Sequence, residues 1–144
     1  MTVRLQSAPF NPGELLDGFG AGDNVGAVVS FTGKVRADDA LTRMEIEHYP
    51  GMTGKALEQI EADARARWPL SDVLILHRYG PMRPGENIMM VATASRHRVA
   101  AFEAAEFLMD FLKSRAPFWK KEFGPDGAAW VAAKDADEDA LTRW

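Results

Sequence analysis

The side chains most able to do chemistry crowd into residues 107–122, Phe-Leu-Met-Asp-Phe-Leu-Lys-Ser-Arg-Ala-Pro-Phe-Trp-Lys-Lys-Glu. Lys113, Arg115, Lys120 and Lys121 fall within nine residues of a chain whose formal net charge is -4. A lysine held where water is scarce loses part of its preference for the proton and can act as a base or nucleophile. Strand alternation after Pro117 puts Phe118, Lys120 and Glu122 on one face and Trp119, Lys121 and Phe123 on the other. With Trp119 and Phe123 anchoring the strand in apolar surroundings, Lys120 is expected beside partly desolvated space. The plain alternative is a cross-strand pair between Lys120 and Glu122. Lys113 also has a plain reading. Glu103, Glu106, Asp110 and Lys113 follow at steps of three, four and three, one polar stripe on a helix, so Lys113 reads as a solvated partner of Asp110 at a helix C-terminus.

Two further basic groups stand apart from that stretch. Arg96, His97 and Arg98 crowd the start of the same long helix, where the macrodipole disfavours cations by about 0.3–1 kcal/mol each. Basic side chains beside free backbone N–H groups make an anion pocket suited to phosphate or carboxylate; the alternative is pairing with unrelated surface acids. Lys34 and Arg36 follow an apolar strand two residues apart, so an extended chain points both to one side. Arginine offers a planar fork for phosphate and lysine a compact charge; the alternative is a solvated loop after Gly33. His48 and His77 read as structural strand residues.

Composition narrows the classes. A chain of 144 residues is long enough for one domain with a real core, here taken as residues 1–144 with an acidic tail over about 134–144. The absence of cysteine excludes disulfides, thiolate zinc sites and any mechanism using the protein's own thiolate. Three histidines without metal-ligand spacing argue against a metal site, and the spacing suggests no cofactor motif either. A pI near 5.4 argues against broad nucleic-acid or membrane binding. No apolar run approaches the ~18 residues that span a bilayer, and Met-Thr-Val-Arg-Leu-Gln lacks a signal-peptide core, so the expected compartment is the cytoplasm.

The elements that must position these groups follow from pattern. Val3–Gln6 alternates like a short edge strand. Asn11-Pro12-Gly13-Glu14 is a helix start, ending near Phe19-Gly20. Gly26–Gly33 is an apolar run bounded by glycines, expected as a buried strand. Ala37-Asp38-Asp39 reads as a loop. Thr42–Tyr49 alternates, with Met44, Ile46 and His48 on one face. A helix runs from Thr53 to Trp68, with Ala56, Ile60, Ala64 and Arg67-Trp68 near one face and Lys55, Glu58, Glu61 and Arg65 elsewhere. Strands over 72–79 and 87–95 flank a turn at Arg83–Glu86, and a long helix follows Ser95 to end near Ser114. From residue 42 the order is β-α-β-β-α-β, with an extra strand near Ala128–Val131. That is a ferredoxin-like order in an α+β fold with an antiparallel-rich sheet. The last residues read as loosely held unless Trp144 docks.

Phe31-Thr-Gly-Lys-Val-Arg36, Glu47-His-Tyr-Pro-Gly-Met52, Ser95 with His97-Arg98, and Lys113-Ser-Arg-Ala-Pro-Phe-Trp-Lys120 resemble the catalytic, large subunit of molybdopterin synthase, the MoaE family. The resemblance covers nearly the whole chain. It implies an α/β-hammerhead fold, with a smaller β subdomain beyond the ferredoxin-like count. It also implies a sulfurtransferase of molybdenum cofactor biosynthesis that converts cyclic pyranopterin monophosphate to molybdopterin. The two sulfurs come as the C-terminal Gly-Gly thiocarboxylate of a small ubiquitin-like partner, within a heterotetramer built on a homodimer of the large subunit. Imported sulfur is consistent with a chain that has no cysteine. The implied catalytic residues are Lys113 and Lys120, and the implied substrate-binding residues are Lys34, Val35, Arg36, His97, Arg98, Lys113, Lys120, Lys121 and Glu122. Arg115 is left to cap the helix. The segment between Arg36 and Glu47 looks short for the family. The competing reading is a ferredoxin-like small-anion or nucleotide-binding module without catalysis, against which the strand Asn87–Ser95 lacks the aromatic pattern of RNA-binding sheets.

Overall fold

Two four-stranded sheets share the strands. The computed structural model describes residues 2–37, 41–132 and 134–144, so most of the loop expected at Ala37-Asp38-Asp39 lies outside the described residues. The larger sheet has the order β1-β4-β6-β2, from β1 (Thr2–Gln6), β4 (Leu70–Arg78), β6 (Asn87–Ser95) and β2 (Ala27–Lys34). Only the β1–β4 pair is parallel. The smaller sheet is β5-β3-β7-β8, from β5 (Gly80–Met82), β3 (Arg43–His48), β7 (Phe118–Gly124) and β8 (Gly127–Trp130), all antiparallel.

The expected element order is therefore present, with the three-residue β5 added. The strands at its two ends, β3 and β7, leave the main sheet and pair with each other, forming the smaller β unit that the resemblance implied. Alternation alone does not say which strand is a strand's neighbour, because either sheet satisfies the same inward face.

The main core lies between one face of the larger sheet, the helices α2 (Thr53–Arg67) and α3 (Arg98–Ser114), and the inner face of the smaller sheet. Val73, Ile75, Val91, Leu57, Ile60, Phe107, Leu108, Met44 and Ile46 meet there. The opposite face of the larger sheet buries Leu74, Leu76, Met90 and Ala92 under Phe10, Leu15, Leu16 and Phe19. These last come from the residue before the cap, the short helix α1 (Pro12–Leu16) and the turn after it. Asn11 caps α1 as its spacing predicts, its side chain accepting from the N–H groups of Gly13 and Glu14.

Three expectations change. The run Gly26–Gly33 does form a strand, but an edge one. Among the described residues β2 pairs with β6 alone, and Val28 and Phe31 are 47% and 46% exposed. On α2, Leu57 takes an inward place, and Glu61, expected on the outer side, is buried with its Oε2 held by Arg65 Nε at 2.9 Å. The acidic tail is docked rather than loose. It forms α4 (Asp135–Ala140) and a 3-10 turn, Leu141–Arg143. Trp144 then packs edge-on against Trp68 and Phe107 and donates its indole N–H to Asp110. Arg115 pairs with Glu138, and Arg143 with both Glu106 and Asp110. No helix among the described residues is long and apolar enough to cross a membrane.

Candidate active site

The polar stripe of α3 resolves differently from its spacing. Asp110 is taken by Arg143 and Trp144 of the C-terminal segment, and Lys113 stands exposed on the last turn of the helix. Arg115 caps α3, its N–H donating to the Phe111 carbonyl, and Ala116-Pro117 turn the chain into β7. The turn brings Lys120 back toward Lys113. Lys120 is pushed down from 10.5 to about 8, first by burial and then by the positive charge of Lys113, while Asp137 and Glu122 act in the opposite sense. A lysine so placed is partly neutral near physiological pH, as a general base or acyl acceptor requires.

The desolvation expected for Lys120 is present, but its anchor is a different aromatic. Trp119 is 44% exposed on the outer face of β7, tilted against Tyr49. Phe123 shares that face, with the Arg43 guanidinium 3.9 Å from its ring centre. Phe118, on the same face as Lys120, is the aromatic that packs against the main core. Its ring stacks on His77 with centroids 3.7 Å apart and planes 14° from parallel. His77 is 6% exposed, its Nδ1 lies 2.7 Å from the Arg78 carbonyl oxygen, and burial pushes its pKa down to about 3. The imidazole is therefore neutral, a structural histidine as its strand position suggested. Lys121 points away from Lys120, its ammonium 5.2 Å from the Trp130 ring centre. Glu122 is exposed on the Lys120 face, opposite Met44 of β3.

Lys34, Val35 and Arg36 lie at this same end of the molecule. The register runs Gly33 to Met89 to His77 across the larger sheet. Val35 is buried while Lys34 and Arg36 are exposed, so the two cations do share a side. Val35 is clamped by backbone bonds in both directions, its N–H to the Glu86 carbonyl at 2.9 Å and its carbonyl from Gly85 N–H at 2.8 Å. The Arg83–Glu86 turn is fixed in turn by buried Arg78, which donates to Glu86, Asn87 and Ser7. The bond from the Arg83 N–H and the Arg78 guanidinium hold the Glu86 carboxyl below its usual range.

His97 and Arg98 are elsewhere. They flank the start of α3, and Arg98 is 15 residues before Lys113, about 22 Å at the rise of an α-helix. Gly26, Arg96, His97, Arg98 and Val99 line an open depression of about 460 Å³ there. Gly26 has a steric reason to be glycine, since a Cβ at that position would lie 2.3 Å from the Arg96 carbonyl oxygen. Within one chain the expected site residues thus form two groups at opposite ends of α3. Lys34, Arg36, Lys113 and Lys120 make one; His97 and Arg98 make the other.

Pattern reading missed His77 as the partner of Phe118, and missed Lys134 and Asp137, whose charges reach Lys120 from the docked C-terminal segment. Alternation did place Phe118 beside Lys120. Nothing in the sequence around His77 or Asp137 marks their proximity to it.

Comparisons with known proteins identify the family and the fold. The family model described as MoaE protein matches residues 5–115. The chain is 58% identical, over the full length of both, to the molybdopterin synthase catalytic subunit of Cereibacter sphaeroides. It superposes with a TM-score of 0.84 on the molybdopterin biosynthesis MoaE protein of Burkholderia ambifaria, at 48% identity and covering 100% of this chain and 98% of that one. The same fold, at 20% identity and a TM-score of 0.77, occurs in a complex of subunits 1 and 2 of the molybdopterin-converting factor of Helicobacter pylori, covering 92% of this chain and 90% of that one. With the lysine corner and the basic helix start on the scaffold of relatives this similar, the chain belongs to the MoaE family, whose curated members are molybdopterin synthase catalytic subunits.

Proposed function

We propose that the protein is a cytoplasmic sulfurtransferase that makes molybdopterin from cyclic pyranopterin monophosphate. It would take one sulfur from each of two C-terminal thiocarboxylates, delivered in turn by a small ubiquitin-like subunit. The observation that carries the reading is Lys120, lowered to about 8 beside the charge of Lys113, in a chain of this family. The thiocarboxylate sulfur attacks a pterin-side carbon as that carbon's bond to oxygen breaks, leaving a thioester between tail and substrate, and the positive charge of Lys113 stabilises the departing oxyanion. Water then attacks the acyl carbon and gives its proton to neutral Lys120, and the acyl C–S bond breaks to leave the sulfur on the pterin and the spent tail as a carboxylate. The H. pylori complex of two subunits supports a second, smaller chain at this scaffold.

The separation of the two basic groups favours a homodimer. β2 is an edge strand with Val28 and Phe31 exposed, and Val99 and Phe102 beside it on α3 are 62% and 61% exposed. A two-fold axis through the middle of β2 would bury these side chains between copies, Phe31 with Val99 and Phe102 on the helix side of the sheet and Val28 on the other. The same axis sets the Lys34 end of one strand beside the Gly26 end of the other. His97 and Arg98 of the second copy then approach Arg36, Lys113 and Lys120 of the first, where they would hold the phosphate. One small subunit on each copy completes the heterotetramer.

Reconstitution with a thiocarboxylated small subunit and the cyclic substrate tests the activity. Molybdopterin is the expected product, and its absence overturns the reading. Mixing inactive Lys120→Ala and Arg98→Ala proteins under exchange tests the shared site. Half of the dimers formed are hybrids with one intact site each, so recovery of about a quarter of wild-type activity is expected. No recovery, with exchange confirmed by mass, overturns the shared site.

A further inference from the structure

His77 is the buried titratable group nearest this chemistry that no step above uses. We infer that His77 is the positioning residue of Lys120: its buried ring is the flat surface on which Phe118 lies, and the stack holds β7 so that Lys120 stands partly desolvated in the site. The inference rests on the proposed role of Lys120 and names what that role depends on.

Two observations carry it. The ring plane of His77 is fixed by its own strand, because Nδ1 lies 2.7 Å from the Arg78 carbonyl oxygen. A carbonyl only accepts, so Nδ1 bears the proton and the tautomer is set. Phe118 then lies nearly parallel to that ring at 3.7 Å, with His48 on a further side at 6.4 Å. The backbone of β7 is hydrogen-bonded within the smaller sheet, to β3 and β8. The stack ties the start of β7 to the larger sheet. Lys120 is two residues beyond Phe118, on the same face, and inherits its depth.

The choice of a histidine also fits the charges that face Lys120. These are Lys113 from α3, Lys134 and Asp137 from the C-terminal segment, and Glu122 from β7. His77 itself feels Lys120, Lys113 and His48. Burial keeps its ring uncharged at any pH at which the protein works, so it supplies a wall without adding a third cation.

Competitive acetylation of the full-length protein with trace acetic anhydride, over pH values from about 6 to about 11, reads the ionisation of Lys120 by mass spectrometry without reference to activity. The wild-type midpoint is expected near 8. In His77→Ala it is expected to rise by at least about one pH unit as water reaches Lys120. In His77→Phe, which keeps the flat face, it is expected to stay within about half a unit of wild type. A residue that is merely structural would lower the thermal midpoint and leave the Lys120 ionisation where it was. An unmoved midpoint in His77→Ala, or an equal rise in His77→Phe, overturns the inference. Should His77→Ala fail to fold, Phe118→Leu removes the other ring of the stack and must produce the same rise; an unmoved midpoint there is equally fatal. A wild-type midpoint near 10.5 would instead overturn the desolvated Lys120 of the proposed function, and the inference with it.

Discussion

Holding Lys120 half-dry beside another cation costs the folded state free energy, so replacing it with an apolar side chain of similar length is expected to stabilise the protein. The pKa of Lys120 falls from 10.5 to about 8 on folding. At about 1.4 kcal/mol per pH unit this displacement corresponds to roughly 3 kcal/mol. Residual solvent around a half-buried group screens part of it, leaving about 1–2 kcal/mol. The sign follows from proton binding. Between about 8 and 10.5 the unfolded chain binds more protons at this site than the folded one, so stability rises with pH across that window. Below about 8 the whole cost is present, and above about 10.5 none of it is. Lys120→Met should therefore raise the unfolding midpoint at pH 7 by roughly 3–6 °C for a chain of this size. The gain should fade as pH rises from about 8 to about 10.5, while synthesis of molybdopterin is lost. The assay is thermal or urea unfolding of both proteins at matched concentration and several pH values, since association shifts apparent stability. A variant less stable than wild type at pH 7 refutes the reasoning. So does a gain of the same size at every pH, which would report better packing instead.

Three other outcomes separate the parts of the molecule. Gly26→Ala puts a Cβ 2.3 Å from the Arg96 carbonyl oxygen and must shift the start of α3. Steady-state kinetics should show a raised KM for the cyclic substrate, while the Lys120 ionisation stays in place. Trp144→Ala removes two edge-on aromatic contacts and the bond to Asp110, for an expected loss of about 2–3 kcal/mol in urea unfolding. Hydrogen exchange should show α4 losing protection first. Asn11→Ala removes the cap of α1 and should cost about 1 kcal/mol by the same measurement, with molybdopterin formation unchanged.

What could be read from the sequence was mostly local. The Asn11 cap, the alternation of β3 and the span of α3 depend on neighbours within a few residues, and each is found where its pattern put it. What escaped was non-local. β3 and β7 alternate equally well in either sheet, so their departure into the smaller one left no mark on the pattern. Val28 and Phe31 are apolar yet exposed, one on each side of the sheet, which made an edge strand look like a buried one. The acidic tail reads as solvated until Arg115, Glu106, Asp110 and Trp68, all distant in sequence, are seen to receive it. The site divides in the same way. Lys113 and Lys120 were visible as a pair because one turn joins them. The stack that dries Lys120 depends on His77, 43 residues before it.

The two ends of α3 make opposite electrostatic demands, and this bears on why the proposed site would be shared between copies. The start of a helix, with its free N–H groups, suits the phosphate of a substrate. Its end, with free carbonyls, suits a cation such as Lys113. A reaction that needs a held phosphate and a lysine pair a few ångströms apart cannot take both from one straight helix of 17 residues. Shortening the helix would bring the ends together but would give up the buried side of Ala101, Ala104, Leu108 and Leu112 that anchors it. The proposed two-fold axis through β2 would remove the conflict without changing the helix. Each site would then receive the start of one α3 and the end of the other, and Val28, Phe31, Val99 and Phe102, exposed in one chain, would be buried between copies in the same step.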